Sequence, residues 1–284
     1  MGVSLVVGAC AFGVGVLAGD PGPGPGAAPT STADPVPAPV DTVPATRDAA
    51  PAAADTLSTT RDAGPAATDT LPVPVLLVPG WSDEASQLRA LRERFIGEGW
   101  PGERVSAIEF RDPVGSNREH ARELADALER LLEESGAPAA DVVAHSMGGL
   151  ALRYLFAREG AGLVRKVVFL GTPNRGTVAA HLAWGAGGEE MEPGSPFLDS
   201  LNALPAVPEG VDALAVRTPL DLRVIPGESA LLPEGGNARN VEVCCPTHPG
   251  LVEDREVFRI VVRFLRGEEA LRPSSDVAGR RGRR

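Results

Sequence analysis

Residues 141–156 read DVVAHSMGGLALRYLF. Behind Asp141 comes a short apolar run, then a cluster of small residues, then apolar side chains at helical spacing, so a strand passes directly into a helix with Ser146 at the turn. Two residues before this serine stands Ala144, and two after it Gly148. That is the G-x-S-x-G nucleophile elbow with Ala in its first place. Both positions have to be small because the turn forces the serine backbone into a strained conformation in which bulky neighbours would collide. A plain small-residue turn is the alternative, but the strand before it and the helix after it are the context the elbow requires.

Outward from this stretch the same texture repeats. PVPVLLVPGW (72–81), RVSAIEF (104–110), VRKVVFLG (164–171), VDALAVR (211–217) and RNVEVCC (239–245) read as strands buried on both faces. Helix patterns lie between them, at about 84–97, 117–134, 147–158 and 253–266. The clearest is 117–134, opened by a Ser116-x-x-Glu119 capping box and stopped by Gly136. Buried strands alternating with amphipathic helices predict an α/β domain over 73–272, with a mostly parallel central sheet covered by helices on both faces.

The flanks are of another kind. Residues 3–17 are a charge-free apolar run followed by Ala18 and Gly19, which reads as a signal peptide over 1–19; an uncleaved anchor and a lipid on Cys10 are the alternatives. Residues 20–72 are rich in Pro, Ala and Thr and hold an imperfect fourteen-residue repeat, DTVPATRDAAPAAA (41–54) and DTLSTTRDAGPAAT (55–68). Too few apolar groups are present to offset the entropy of ordering, so a disordered spacer is expected, with a basic disordered tail over 273–284. This organisation points to a secreted or cell-surface protein, near a membrane or cell wall through its N-terminal segment. With 27 basic against 38 acidic residues, the chain disfavours nucleic acid as a partner. Its three cysteines make no disulfide framework, no Cys/His spacing suits a metal, and no cofactor is implied. Cys244 and Cys245 are expected to be free, mostly buried thiols.

A serine alcohol needs a base, and the chain has only four histidines. His145 sits on the serine's own strand and is expected to point to the opposite side; His120 falls on the charged face of a helix; His181 lies in a long insertion. His248, on the loop after the last strand, occupies a strand carboxyl end, where ligands gather in open α/β sheets. A carboxylate should come between serine and histidine in chain order. Asp221 lies four residues past the strand VDALAVR and is the first candidate, with Glu228 the alternative acid. Two backbone N–H groups should form an oxyanion hole: Met147, after the nucleophile, and Trp81, after the first core strand, where Gly80 permits close approach.

LLVPGW, AHSMGGLALRYL, FLGTPNRGT, EMEPGSPFLDSLN, TPLD with the following VIP, ARNVEV and THPGLV, in that order, resemble the small secreted bacterial lipases and esterases of the α/β-hydrolase superfamily, the class 2 triacylglycerol lipases. The likeness spans about 73–266. It implies the α/β-hydrolase fold with a short cap or none, and lipase or esterase activity on a small-molecule ester or acylglycerol. By that resemblance Ser146 is the nucleophile, Asp221 the acid and His248 the base, with the Trp81 and Met147 N–H groups as oxyanion donors. Pro79-Gly80 stands where relatives usually have His-Gly, and 181–194 lacks the cysteine pair that relatives often carry. Rival readings are a thioesterase or acyltransferase using the same residues, and a non-catalytic, wall-tethered binding protein. Residues 177–210, with His181, Leu182, Trp184, Met191, Phe197 and Leu198 among many glycines, form either a short lid or a long crossover packed on the core.

Overall fold

A computed structural model describes residues 71–83, 85–159, 162–233 and 236–268. The readings of a signal segment, Cys10, the repeat spacer and the basic tail lie outside the described residues, apart from the end of the spacer at 71–72. Among the described residues no helix is long and apolar enough to cross a membrane.

Six strands form one parallel sheet: β1 (Val75–Val78), β2 (Val105–Ala107), β3 (Ala140–His145), β4 (Val164–Leu170), β5 (Asp212–Arg217) and β6 (Ala238–Glu242), in the spatial order β2-β1-β3-β4-β5-β6. The helices are α1 (Arg89–Gly97), α2 (Asn117–Ser135), α3 (Gly148–Glu159), α4 (Gly185–Glu190), α5 (Pro196–Asn202) and α6 (Arg255–Arg266). Strand alternation splits the core in two. Val75 and Leu77 of β1 pack in a layer with Leu91 and Phe95 of α1 and Phe258 and Val261 of α6, whereas Leu76 and Val78 face Leu124 and Leu128 of α2 and Leu152 of α3. Each such side chain contributes about 1.5–3 kcal/mol by leaving water. Phe95 adds edge-to-face contacts with Trp100 and Phe258, both at 5.2 Å between ring centres.

The order reverses at β1, whose neighbours β2 and β3 lead the chain away in opposite directions. Loops leaving β1 and β3 at their carboxyl ends therefore diverge and open a crevice between them. Trp81 follows β1 and Ser146 follows β3, so both border it.

Several expectations change in three dimensions. β6 is an edge strand with largely exposed side chains, because only β5 pairs with it. Ser116 caps α2, its Oγ accepting from Arg118 N–H at 3.1 Å, but the partner acid is Glu190 rather than Glu119. The Glu190 carboxylate accepts from Asn117 N–H at 2.6 Å and from Ser116 Oγ–H at 2.7 Å, which sets an anion on the helix's positive end and ties α4 to α2. His120 is buried, not on an exposed charged face: its ring stacks on Phe110 at 3.9 Å and its Nε2 lies 2.7 Å from the Asp112 carbonyl. Cys244 and Cys245 are exposed rather than buried, and they are joined to each other as a disulfide rather than free. The last helix begins two residues later than expected, capped by Asp254, whose Oδ1 accepts from Glu256 and Val257 N–H.

Candidate active site

Ser146 has φ of +53°, the left-handed conformation an elbow imposes, which L-residues hold at a cost of about 1–3 kcal/mol. The serine N–H is anchored to the Leu170 carbonyl at 2.8 Å, and α3 starts two residues on. Crowding explains the small residues nearby. A Cβ on Gly80 would lie 2.8 Å from Ser146 Cβ and 2.9 Å from Asp83 Oδ2, so only glycine lets the β1 loop approach the serine. Gly171 has φ of +58° and carries the chain past His248, whose ring a Cβ there would meet at 3.1 Å.

His248 is 2% exposed. Its Nδ1 lies 2.7 Å from Asp221 Oδ2, and a carboxylate can only accept, so Nδ1 carries the proton and Nε2 the lone pair. Among the described residues that buried Nε2 has no hydrogen-bond partner. Burial holds the imidazole below the ordinary histidine value of 6.5, against the opposing pull of Asp221, so the ring is neutral at pH 7. Burial also works to raise the Asp221 carboxyl. The His248 hydrogen bond and charge and the Val224 and Arg223 backbone N–H groups outweigh it, so Asp221 is held below the usual carboxylate range and ionised. Its Oδ1 accepts both of those N–H groups at 2.8 Å.

The candidate acids separate clearly. Asp221 meets His248, whereas Glu228 sits in a 3-10 turn (Gly227–Ala230) with its side chain 65% exposed, 3.9 Å from Arg217. Of the other histidines, His181 is exposed beside Glu192 at 3.2 Å. His145 does not point away from the site: its ring centre is 4.8 Å from that of His248.

Trp81 and Met147 flank the serine, and among the described residues neither backbone N–H has an acceptor. The Trp81 loop is braced on the insertion. Its indole Nε1–H donates to the Trp184 carbonyl at 3.0 Å, and the two rings meet edge to face at 4.4 Å. Ser82, at φ +58°, donates its N–H to the Pro113 carbonyl. A cleft of about 300 Å³ opens on Ser146, lined by Trp81, Thr177, Ala180, Met191, Leu222 and Val224 among others. A larger cavity of about 460 Å³ at Leu204–Val211 has no serine, threonine, cysteine or histidine in its wall, so volume alone does not pick out the chemistry.

The insertion is both wall and crossover. Met191, Phe197 and Leu198 are buried against Met147 and Leu150, while Leu182 and Trp184 are exposed at 87% and 63%. Thr177 and Asp83 also shape the site. Thr177 Oγ1–H donates to the Arg223 carbonyl and its oxygen accepts Ile225 N–H, which clamps the loop bearing Asp221. Its signal was the GTPNRGT string. Asp83 had none beyond being an acid in a turn. Among the described residues no group of three or more His, Cys, Asp or Glu could hold a metal.

A family model described as alpha/beta hydrolase fold matches residues 73–198. The chain has the α/β-hydrolase fold. Among solved structures this hydrolase fold is similar to Aspergillus fumigatus lipase B, with 16% identity and a TM-score of 0.61 over 72% of this chain and 55% of that one. The chain thus spans about half the length of that lipase. It is also similar to the mature Bacillus licheniformis lipase BlEst2, with 17% identity and a TM-score of 0.58 over 69% of this chain and 93% of that one. The lin2722 gene product of Listeria innocua matches with 20% identity and a TM-score of 0.52 over 68% and 94%.

Proposed function

We propose that the protein is a serine carboxylic-ester hydrolase, a lipase or esterase, that works through Ser146, His248 and Asp221. The observation that carries this reading is the Asp221–His248 pair at 2.7 Å, which leaves a lone pair on the buried Nε2, in a chain whose elbow serine is held at left-handed φ. The named lipases among the similar structures agree with it. Ser146 Oγ attacks the ester carbonyl carbon as its proton passes to His248 Nε2. The Trp81 and Met147 N–H groups receive the oxyanion, and Asp221 stabilises the imidazolium. His248 then gives its proton to the leaving alcohol, and water clears the acyl-enzyme by the same steps in reverse order. Hydrolysis of p-nitrophenyl esters from acetate to palmitate, with and without a serine-directed fluorophosphonate, tests it: turnover abolished by the reagent supports the reading, and no turnover of any ester overturns it.

Two expectations follow from the site. Because burial keeps His248 below 6.5, kcat/KM should hold its plateau to below that pH and fall only as the ring takes up a proton. A pH–rate profile with an acid limb centred above 6.5 would contradict this. Because the cleft is about 300 Å³ and the segment over it has only short helices, dissolved short and medium chain esters should be turned over without an oil–water interface. A sharp rise in rate only beyond a triglyceride's solubility limit would assign 177–210 the part of an interfacial lid.

Export belongs to the same proposal and rests on the apolar run at 3–17. The mature chain is expected to begin near residue 19; N-terminal sequencing that finds Met1 on the extracellular protein would argue for an anchor.

A further inference from the structure

His145 takes no part in the reaction just described, yet it is 3% exposed and sits between Asp83 and the base. Its Nδ1 lies 3.1 Å from Asp83 Oδ2 and its Nε2 lies 3.2 Å from the backbone carbonyl oxygen of His248. Both neighbours can only accept hydrogen bonds when Asp83 is ionised. A neutral imidazole has one N–H and one lone pair, so one of its nitrogens would face an acceptor with a lone pair. The arrangement is satisfied when the ring carries a proton on each nitrogen. Burial works to raise the Asp83 carboxyl, but the hydrogen bond and charge of His145, with Arg223 and His248, hold it below its ordinary range, so Asp83 is the accepting member of the pair.

We propose that Asp83 and His145 form a buried carboxylate–imidazolium pair that positions His248 through its backbone carbonyl and keeps the His248 ring unprotonated. This rests on the reading of His248 as the base. The pair links three loops of the site. Asp83 stands two residues after Trp81 and its N–H donates to the Gly80 carbonyl; His145 ends β3; His248 follows β6. The titratable and charged groups facing His248 are Asp221 and Arg223 from the loop after β5, His145 from β3 and Asp83 from the loop after β1. Of these the cationic His145 ring, with centres 4.8 Å apart, is in position to oppose a second positive charge on His248. Neither residue touches the reacting atoms, so both are positioning residues.

The test is nitrogen-15 NMR of histidine-labelled full-length protein, with His145 and His248 assigned through the backbone. At pH 7.5 His145 should show two protonated ring nitrogens while His248 shows one. A neutral His145 ring overturns the pair. The second arm follows the His248 titration in His145→Gln, which removes the cation and leaves Asp83 facing Arg223 and His248 as its remaining charge partners; the midpoint should rise by about one pH unit or more. In Asp83→Asn with His145→Gln, where both charges are gone, it should lie between those of the unaltered protein and the single variant. A merely structural role predicts no such order, and an unmoved midpoint in His145→Gln overturns the electrostatic part. Ester turnover is read separately: if the protein hydrolyses no ester, the proposed function fails while the ring spectra still decide the pair.

Discussion

Ser146→Ala should lower kcat on p-nitrophenyl esters by about 10⁶-fold, the scale seen when a triad serine is removed elsewhere, while the fold stays intact. In the proposed mechanism the Ser146 hydroxyl forms the acyl-enzyme, and the other hydroxyl lining the cleft, Thr177, is engaged with the Arg223 carbonyl and the Ile225 N–H. Structure should survive because the turn is held by backbone, through the Ser146 N–H to the Leu170 carbonyl and the Gly149 N–H to the Ser146 carbonyl, at 2.8 and 3.1 Å. Circular dichroism and the melting temperature report the fold; loss of the acyl-enzyme burst and of fluorophosphonate labelling report the chemistry. Undiminished hydrolysis by a clean Ser146→Ala preparation would remove the serine from the mechanism.

Asp221→Asn comes next in size, with an expected fall of about 10⁴-fold in kcat. Asp221 uses one oxygen for two backbone N–H groups and the other for His248. In the amide, the remaining oxygen keeps the backbone bonds, so the NH₂ group turns toward His248 Nδ1. Donor then faces donor, the imidazole adopts the opposite tautomer, and Nε2 presents a proton where a lone pair is required. Glu228→Gln should change kcat less than about threefold, because its side chain is 65% exposed and its ion pair with Arg217 is long. The reverse ranking of the two variants would make Glu228 the acid.

Parts of the site were legible in the residue string because they depend on near neighbours. Ala144, Ser146 and Gly148 declare an elbow since its strain is settled within five residues, and the φ of +53° at Ser146 agrees. Chain order limited the acid to Asp221 or Glu228, and the position just past its strand favoured Asp221, which stands 2.7 Å from His248 Nδ1. The four internal strands were legible from their apolar runs; β6 was misread as buried because an edge strand and an inner strand share the same β-branched residues, and only pairing on one side or two separates them.

By itself the sequence determined the α/β alternation and the strand-to-helix turn at Ser146, both of which follow from periodicity and turn chemistry over a few residues. Only the tertiary structure decided that Glu190 caps α2, that His120 is buried, that Cys244 and Cys245 are joined, and that Asp83 and His145 stand beneath His248. The partners in the long-range bonds among these are 73, 62 and 103 residues apart, for Asn117–Glu190, Asp83–His145 and His145–His248. An acid in a solvated turn and an acid under an active site carry the same local signal. What distinguishes them is the topological reversal at β1, which brings the carboxyl ends of distant strands together and takes water away from whatever side chains meet there.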